Sequence, residues 1–262
     1  MHVLGVLGGS SLFNAQSISS TLAEKVVNTE FGAVLCYVGT WPTYQQDETT
    51  SPPLELVYVQ RHHADPDGKY RQPRKINYRA IALALKALHC QAVVGIYSVG
   101  SMTSTVGVGR FVVPEDYFSP FDIMHLSHDY DAHVVPELHK VLKFALVQAL
   151  ESGGFKPYDG GVYVQTAGPR FETKSEVRFF AQFGEFIGMT GANEAELLNE
   201  LHVPFAMFSI VDNLANGIGE PLTLEAFKAT QKANSDLMEK AFVHVMKELA
   251  DSKTVPLLTP TP

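Results

Sequence analysis

Cysteine is nearly absent. Cys36 and Cys90 are the only two among 262 residues, too few for the disulfide framework of a small secreted fold. Both stand in apolar settings, AVLCYV and LHCQAVV, where buried, reduced thiols are expected. Long apolar runs are missing too. None approaches the roughly 18 residues that a membrane span needs, so no membrane partner is expected. The opening MHVLGVLGGSSLF lacks a basic stretch and an extended apolar core. It does not read as a secretory leader, and the cytoplasm is the expected compartment. Basic residues are in the minority: 20 Lys and Arg against 28 Asp and Glu, for a net charge of −8. Broad nucleic-acid or anionic-membrane binding needs the opposite balance. A small anion held by a few placed donors remains open. Internal repeats, low-complexity blocks and long linkers are also missing.

What is there is ordinary globular composition, 45% apolar and 18% charged. A chain of this length buries roughly three quarters of its unfolded surface and needs no staples. Strand-like and helix-like patterns alternate throughout. This reads as one α/β domain over residues 1–262, a mixed central sheet flanked by helices, with a proline-rich tail at 254–262 expected to be loose.

Val3–Leu7 is a short strand that ends in Gly8-Gly9-Ser10-Ser11. Glycines let backbone approach an anion, and hydroxyls add donors. No lysine follows, so this is not a triphosphate loop, and a bare turn would look the same. Residues 15–60 read as antiparallel β structure, interrupted by a polar loop from Gly39 to Pro53. The strand ending at Val59 delivers Arg61, His62 and His63, a forked donor and imidazoles suited to one anion. A helix runs to His89, and the strand Ala92–Tyr97 ends in Ser98-Val99-Gly100-Ser101. The loop 114–136 holds Asp122, His125, His128, Asp129, Asp131 and His133. These are metal-binding types, but an irregular loop has no period to aim them, and no metal site is expected. Helices are expected over 138–152 and 223–250.

The densest stretch runs from Gly161 to Asn216. Three polar clusters in it each follow a strand-like run: Gly168-Pro169-Arg170-Phe171-Glu172-Thr173, Gly188-Met189-Thr190-Gly191, and Asp212-Asn213. Ligands of open α/β sheets sit beyond such strand ends.

Taken in order, GGSSL, RH followed by KINYRA, VGS, VQTAGPRFET, GMTGANEAEL and SIVDN resemble the trimeric purine nucleoside phosphorylases, above all their 5'-methylthioadenosine and 5'-methylthioinosine phosphorylase branch. The likeness covers nearly the whole chain. It implies a twisted mixed sheet with a distorted barrel, a homotrimer with sites near subunit interfaces, and phosphorolysis of a purine nucleoside. Inorganic phosphate is then the co-substrate, and no cofactor is expected. The matching positions place phosphate at Ser10, Arg61, His62 and Thr190, with the backbone around Ser98. They place Met189 under the ribose and Phe171 on the purine face. Asn213 and Glu172 fall at the base, where they would stabilise the leaving purine. His128 falls near the 5' end of a neighbouring subunit's substrate. Ser235 falls where ordinary nucleoside enzymes place a 5'-hydroxyl-binding His, which suggests room for a methylthio group. The chain departs from the branch at His63 and in HADPDGKYR.

The base is argued from donors and acceptors. An Asn amide has two N–H donors and one acceptor, so Asn213 fits either O6 and N7 of a 6-oxopurine or the N6/N7 edge of adenine. An ionised Glu172 accepts only and suits N1–H of a 6-oxopurine. The adenosine-type branch usually has two Asp where this chain has Asn213 and Ala215, yet some of its members share the Glu of GPRFET. A 6-oxopurine is favoured, with 5'-methylthioadenosine phosphorolysis as the alternative. Hydrolysis of the same bond and non-catalytic nucleoside binding are the remaining readings.

Overall fold

Apolar runs without polar alternation dictate strands buried on both faces, and such runs form the middle of the sheet. The computed structural model describes residues 2–13, 15–41, 54–121, 124–127 and 133–251. The chain begins with β1 (His2–Gly8), α1 (Gln16–Ser19), β2 (Ala23–Thr29), β3 (Gly32–Thr40) and β4 (Leu54–Gln60). It continues through α2 (Tyr78–Ala87), β5 (Ala92–Ser101), β6 (Phe111–Val113), β7 (Asp116–Phe118) and α3 (Lys140–Ser152). Then come β8 (Tyr158–Asp159), β9 (Val162–Gln165), α4 (Lys174–Phe180), β10 (Phe186–Gly188), α5 (Gly191–Glu200), β11 (Phe205–Leu214) and α6 (Leu224–Asp251).

These strands form one mixed sheet ordered β2-β3-β4-β1-β5-β10-β9-β7, with β11, β6 and β8 branching from β5. The branches meet again where Gly160 N–H donates to Val113 O at 3.0 Å and Glu115 N–H to Gly161 O at 2.9 Å. This closes the expected distorted barrel. Helices α3 and α6 cover one face through Leu142, Leu146, Met238 and Phe242. Helices α2 and α5 cover the other through Ile81, Leu85, Leu197 and Leu198.

The site follows from β5. Its start pairs in parallel with β1, but only as far as Leu7 opposite Gly95. Its end pairs antiparallel with β10, beginning at Gly100 opposite Ile187. Between them, 96–99 have no strand on that side, while β11 continues along the other. A gap where sheet neighbours change is a switch point, the natural crevice of an α/β sheet.

Three helices escaped the sequence reading: the short α1, inside the stretch read as β structure, and α4 and α5. Helix α4 opens with a capping box between Thr173 and Glu176. The first amides of α5 are satisfied from β9. Tyr163 Oη accepts from Thr190 and Gly191 N–H, and Gln165 Oε1 accepts from Ala192 N–H at 2.7 Å. Tyr163 reaches them because Gly188 has no Cβ; one there would lie 2.3 Å from its Oη. The expected tail at 254–262, most of the polar loop ending at Pro53, and Asp122, His128, Asp129 and Asp131 lie outside the described residues.

Candidate active site

The gap beside β5 opens into a cavity of about 380 Å³. Four strand ends converge on it. β1 contributes Ser10, β4 contributes Arg61 and His62, β10 contributes Met189 and Thr190, and β11 contributes Asn213. Ser98, Phe171 and Glu172 complete the set of expected residues that line it.

Arg61 differs from expectation. It is 1% exposed, and its fork points inward. Nε lies 2.6 Å from Glu194 Oε1 and Nη2 lies 3.1 Å from Oε2. Nη2 also donates to Leu7 O at 2.8 Å, and Nη1 to Ile96 O at 3.0 Å. Its Cζ sits 4.4 Å from the centroid of the Tyr97 ring, whose hydroxyl donates to Glu194. Burial works to lower the guanidinium pKa, but Glu194 and Tyr97 outweigh it and hold the group above its ordinary value. These bonds leave one of the five N–H groups of an arginine, on Nη1, for any ligand. Arg61 is therefore first a buried strut and only marginally an anion donor.

His62 is positioned by its own loop. Nδ1 lies 2.8 Å from Arg71 O, and Arg71 N–H returns a bond to His62 O at 2.7 Å. A carbonyl only accepts, so Nδ1 carries the hydrogen and Nε2 of the neutral ring keeps a lone pair. Burial pushes the imidazole pKa down to about 4, against the opposing bond to Arg71 O. The loop is closed by Arg71 Nε on Asp65 at 2.6 Å and Arg71 Nη2 on Asp67 at 2.7 Å. His63, the departure from the family pattern, bonds Gly68 O at 3.0 Å through Nδ1 and so serves this loop.

The two serines differ in how their hydroxyls are used. Ser10 Oγ accepts from Gln231 Nε2 at 2.8 Å, so its O–H is not spent on that bond. Ser98 Oγ donates to Asp212, which is buried and also accepts from Asn234 Nδ2 at 2.8 Å. Asp212 is the extra residue of a bulge between Val211 and Asn213. The bulge lets Asp212 serve the interior while Asn213 serves the cavity. Asn213 Nδ2 donates to Leu214 O at 3.0 Å. Thr190 precedes α5 without capping it.

Glu172 accepts from Thr166 Oγ1 at 2.6 Å, and burial raises its pKa. Together with Met189 it also borders a second cavity, of about 580 Å³, lined by Phe121, Met124, Arg170 and Phe180.

Ser235 is not among the cavity residues. Its hydroxyl donates to Lys232 O at 2.7 Å, and it stands one helical turn beyond the last α6 residue that reaches in. Leu222, Leu224, Phe227, Lys228 and Gln231 line the cavity instead. His128 lies outside the described residues. Among the described residues no cluster of His, Cys, Asp or Glu is arranged to hold a metal.

The sequence reading missed Glu194 and Gln231. Leu197 and Leu198 follow Glu194 by three and four residues, which puts an acid on the apolar stripe of a helix. Gln231 similarly follows Phe227 by four. A polar residue on a core-facing stripe was the available signal.

A sequence model of the phosphorylase superfamily matches residues 57–247. The 6-oxopurine nucleoside phosphorylase of Pyrococcus furiosus is 31% identical over 258 residues, covering 91% of this chain and 90% of its own. A Methanothermobacter thermautotrophicus protein named "Probable S-methyl-5'-thioinosine phosphorylase" is 31% identical over 240 residues, covering 90% of this chain and 81% of its own. The solved structure of Schistosoma mansoni methylthioadenosine phosphorylase with adenine has a TM-score of 0.78 at 18% identity, covering 98% of this chain and 96% of that one. That likeness is one of fold. The chain belongs to the phosphorylase superfamily.

Proposed function

On the premise of that membership, we propose that the chain cleaves purine nucleosides with inorganic phosphate. An oxygen of hydrogen phosphate bonds to C1' of the sugar as the bond from C1' to the purine nitrogen breaks. The electron pair of the broken bond leaves on the base, and the phosphate proton ends there. The chemistry needs position and charge stabilisation, with no resident metal or cofactor. Activity retained after dialysis against a chelator is the expected outcome; loss restored by a metal would contradict it.

The observation that carries this reading is that hydroxyl donors and base-reading side chains share one cavity. Ser10 and Thr190 offer hydroxyls at the ends of β1 and β10. Nε2 of neutral His62 suits the O–H of hydrogen phosphate. Met189 serves the ribose, and Phe171 packs on the base. Asn213 and Glu172 stabilise the departing purine.

The relatives' names support a 6-oxopurine base, and so does Glu172 when ionised, a form that its burial disfavours. One observation favours adenine instead. With one amide hydrogen on Leu214 O, Asn213 retains one donor and one acceptor, the pattern that suits an N6/N7 edge. Leu222, Leu224 and Phe227 supply an apolar wall suited to a 5'-methylthio group.

A homotrimer is part of the same proposal. Phe121, Phe179 and Phe183 are 59%, 49% and 40% exposed, and Phe121 also lines the second cavity. A second copy of the chain would cover them. Sedimentation as a monomer at assay concentration would remove this part. A cytoplasmic location completes the proposal, supported by two free, buried cysteines; recovery of a processed form outside the cell would contradict it.

The deciding experiment assays inosine, guanosine, adenosine and their 5'-methylthio forms, with and without phosphate. Phosphate-dependent release of base and sugar 1-phosphate is expected. Equal release without phosphate means a hydrolase. Tight binding of nucleoside and phosphate without turnover means a binding protein.

A further inference from the structure

Helix α6 reaches the anion end of the cavity from the opposite end of the sequence. Ser10 and Gln231 stand 221 residues apart and share a 2.8 Å bond. Three residues further along, Asn234 is buried and reaches Asp212, the acceptor of the Ser98 hydroxyl. One helix thus addresses both serines of the cavity, with opposite effect. The Ser98 hydrogen is spent inside the protein. The Ser10 hydrogen is not, because Gln231 is its donor.

A serine hydroxyl has one hydrogen and two lone pairs, and the hydrogen rotates to suit its partners. With Gln231 Nε2–H on one lone pair, the Ser10 hydrogen must turn away from that bond. Among the described residues no hydrogen bond takes it up, and Ser10 lines the cavity. Arg61 makes this donor matter more, since its guanidinium is committed to Glu194, Leu7 O and Ile96 O.

We propose that Gln231 is a positioning residue: it holds the Ser10 hydroxyl as a donor to the phosphate co-substrate and thereby sets phosphate affinity from α6. The proposal rests on the reading that Ser10 meets phosphate. Gln231 itself does not take part in bond breaking. Its loss reduces the fraction of time that Ser10 points its hydrogen at the anion.

The test is a double-mutant cycle on phosphate KM, with nucleoside KM and kcat as controls. Gln231→Leu keeps a good helix former and removes the donor. Phosphate KM should rise about 3- to 10-fold, the ordinary worth of one hydrogen bond, with nucleoside KM and kcat at saturating phosphate unchanged. Gln231→Glu is nearly isosteric and is the second variant, should leucine disturb the fold. Its carboxylate only accepts, so it captures the Ser10 hydrogen and adds a negative charge beside the anion. Its rise should exceed that of Gln231→Leu. In a Ser10→Ala background, Gln231→Leu should add nothing.

Four results overturn the proposal. The first is a joint rise of nucleoside and phosphate KM, as a general disturbance of α6 requires. The second is a full effect of Gln231→Leu in Ser10→Ala. The third is a wild-type phosphate KM in Gln231→Leu while Ser10→Ala raises it, which removes Gln231 and leaves Ser10 as a ligand. If Ser10→Ala itself leaves phosphate KM unchanged, both the inference and the placement of phosphate at Ser10 fall.

Discussion

Arg61 and Glu194 form a two-bond ion pair with side chains 1% and 2% exposed, its shorter contact 2.6 Å. Glu194 comes from the first turn of α5 and Arg61 from the end of β4, so the pair ties a helix to the sheet beneath the cavity. Removing one member of a buried pair strands the other charge and costs about 3–5 kcal/mol. Arg61→Ala also strips donors from Leu7 O and Ile96 O. The expected outcome is a large fall in the urea midpoint at fixed protein concentration, alongside lost activity. A variant with a wild-type midpoint and a raised phosphate KM would restore Arg61 as a simple anion ligand.

The depressed pKa of His62 makes stability depend on pH. The ordinary imidazole value is 6.5 and the folded value is about 4. Between them the unfolded chain binds a proton that the folded chain refuses. Stability is therefore full above pH 6.5 and falls as pH drops towards 4. This difference corresponds to something on the order of 3 kcal/mol. Glu172, Asp212 and Glu196 have raised values and oppose the trend in part. The difference between wild type and His62→Asn isolates the imidazole. Unfolding curves at pH 7 and pH 5 should diverge less in His62→Asn; parallel curves would show that His62 is not the titrating group.

Asn213→Asp tests the base. An ionised carboxylate would set acceptors against the acceptors of a 6-oxopurine. A buried, mismatched polar group costs about 1–3 kcal/mol, so kcat/KM for inosine-type substrates should fall roughly 10- to 100-fold on that basis. Adenosine-type activity should fall less, or rise where the acid is protonated and donates to N7. Unchanged inosine kinetics would remove Asn213 from the base site.

At the 5' end, Leu222, Leu224 and Phe227 line the cavity where Ser235 does not. An apolar pocket discriminates by about 1–3 kcal/mol. Preference for 5'-methylthio over 5'-hydroxy substrates should thus be tens to a few hundred fold at most, roughly. Ser235→His should leave the ratio unchanged, because Ser235 does not line the cavity. Phe227→Asn should lower it. A ratio that responds to Ser235 and ignores Phe227 would reverse the assignment.

Local pattern alone determined much of this protein. The apolar runs at β1, β5 and β11 read as strands because their core contacts are dictated residue by residue. The clusters at Ser10, Arg61, Glu172, Thr190 and Asn213 were legible as strand ends, and all five line one cavity. Tertiary structure decided how those residues are used. Which way the fork of Arg61 points depends on Glu194, 133 residues away, and no local pattern contains that pairing. The free hydrogen of Ser10 depends on Gln231, the spent hydrogen of Ser98 on a bulge at Asp212, and the tautomer of His62 on the carbonyl of Arg71. Ser235 matched the position of a ligand residue in order along the chain, but a helix passes a cavity for only a turn or two, and rotation and rise selected Leu224, Phe227 and Lys228. Side-chain type is written in the sequence, whereas the partner that consumes or orients each donor is set by elements that meet only when the sheet closes.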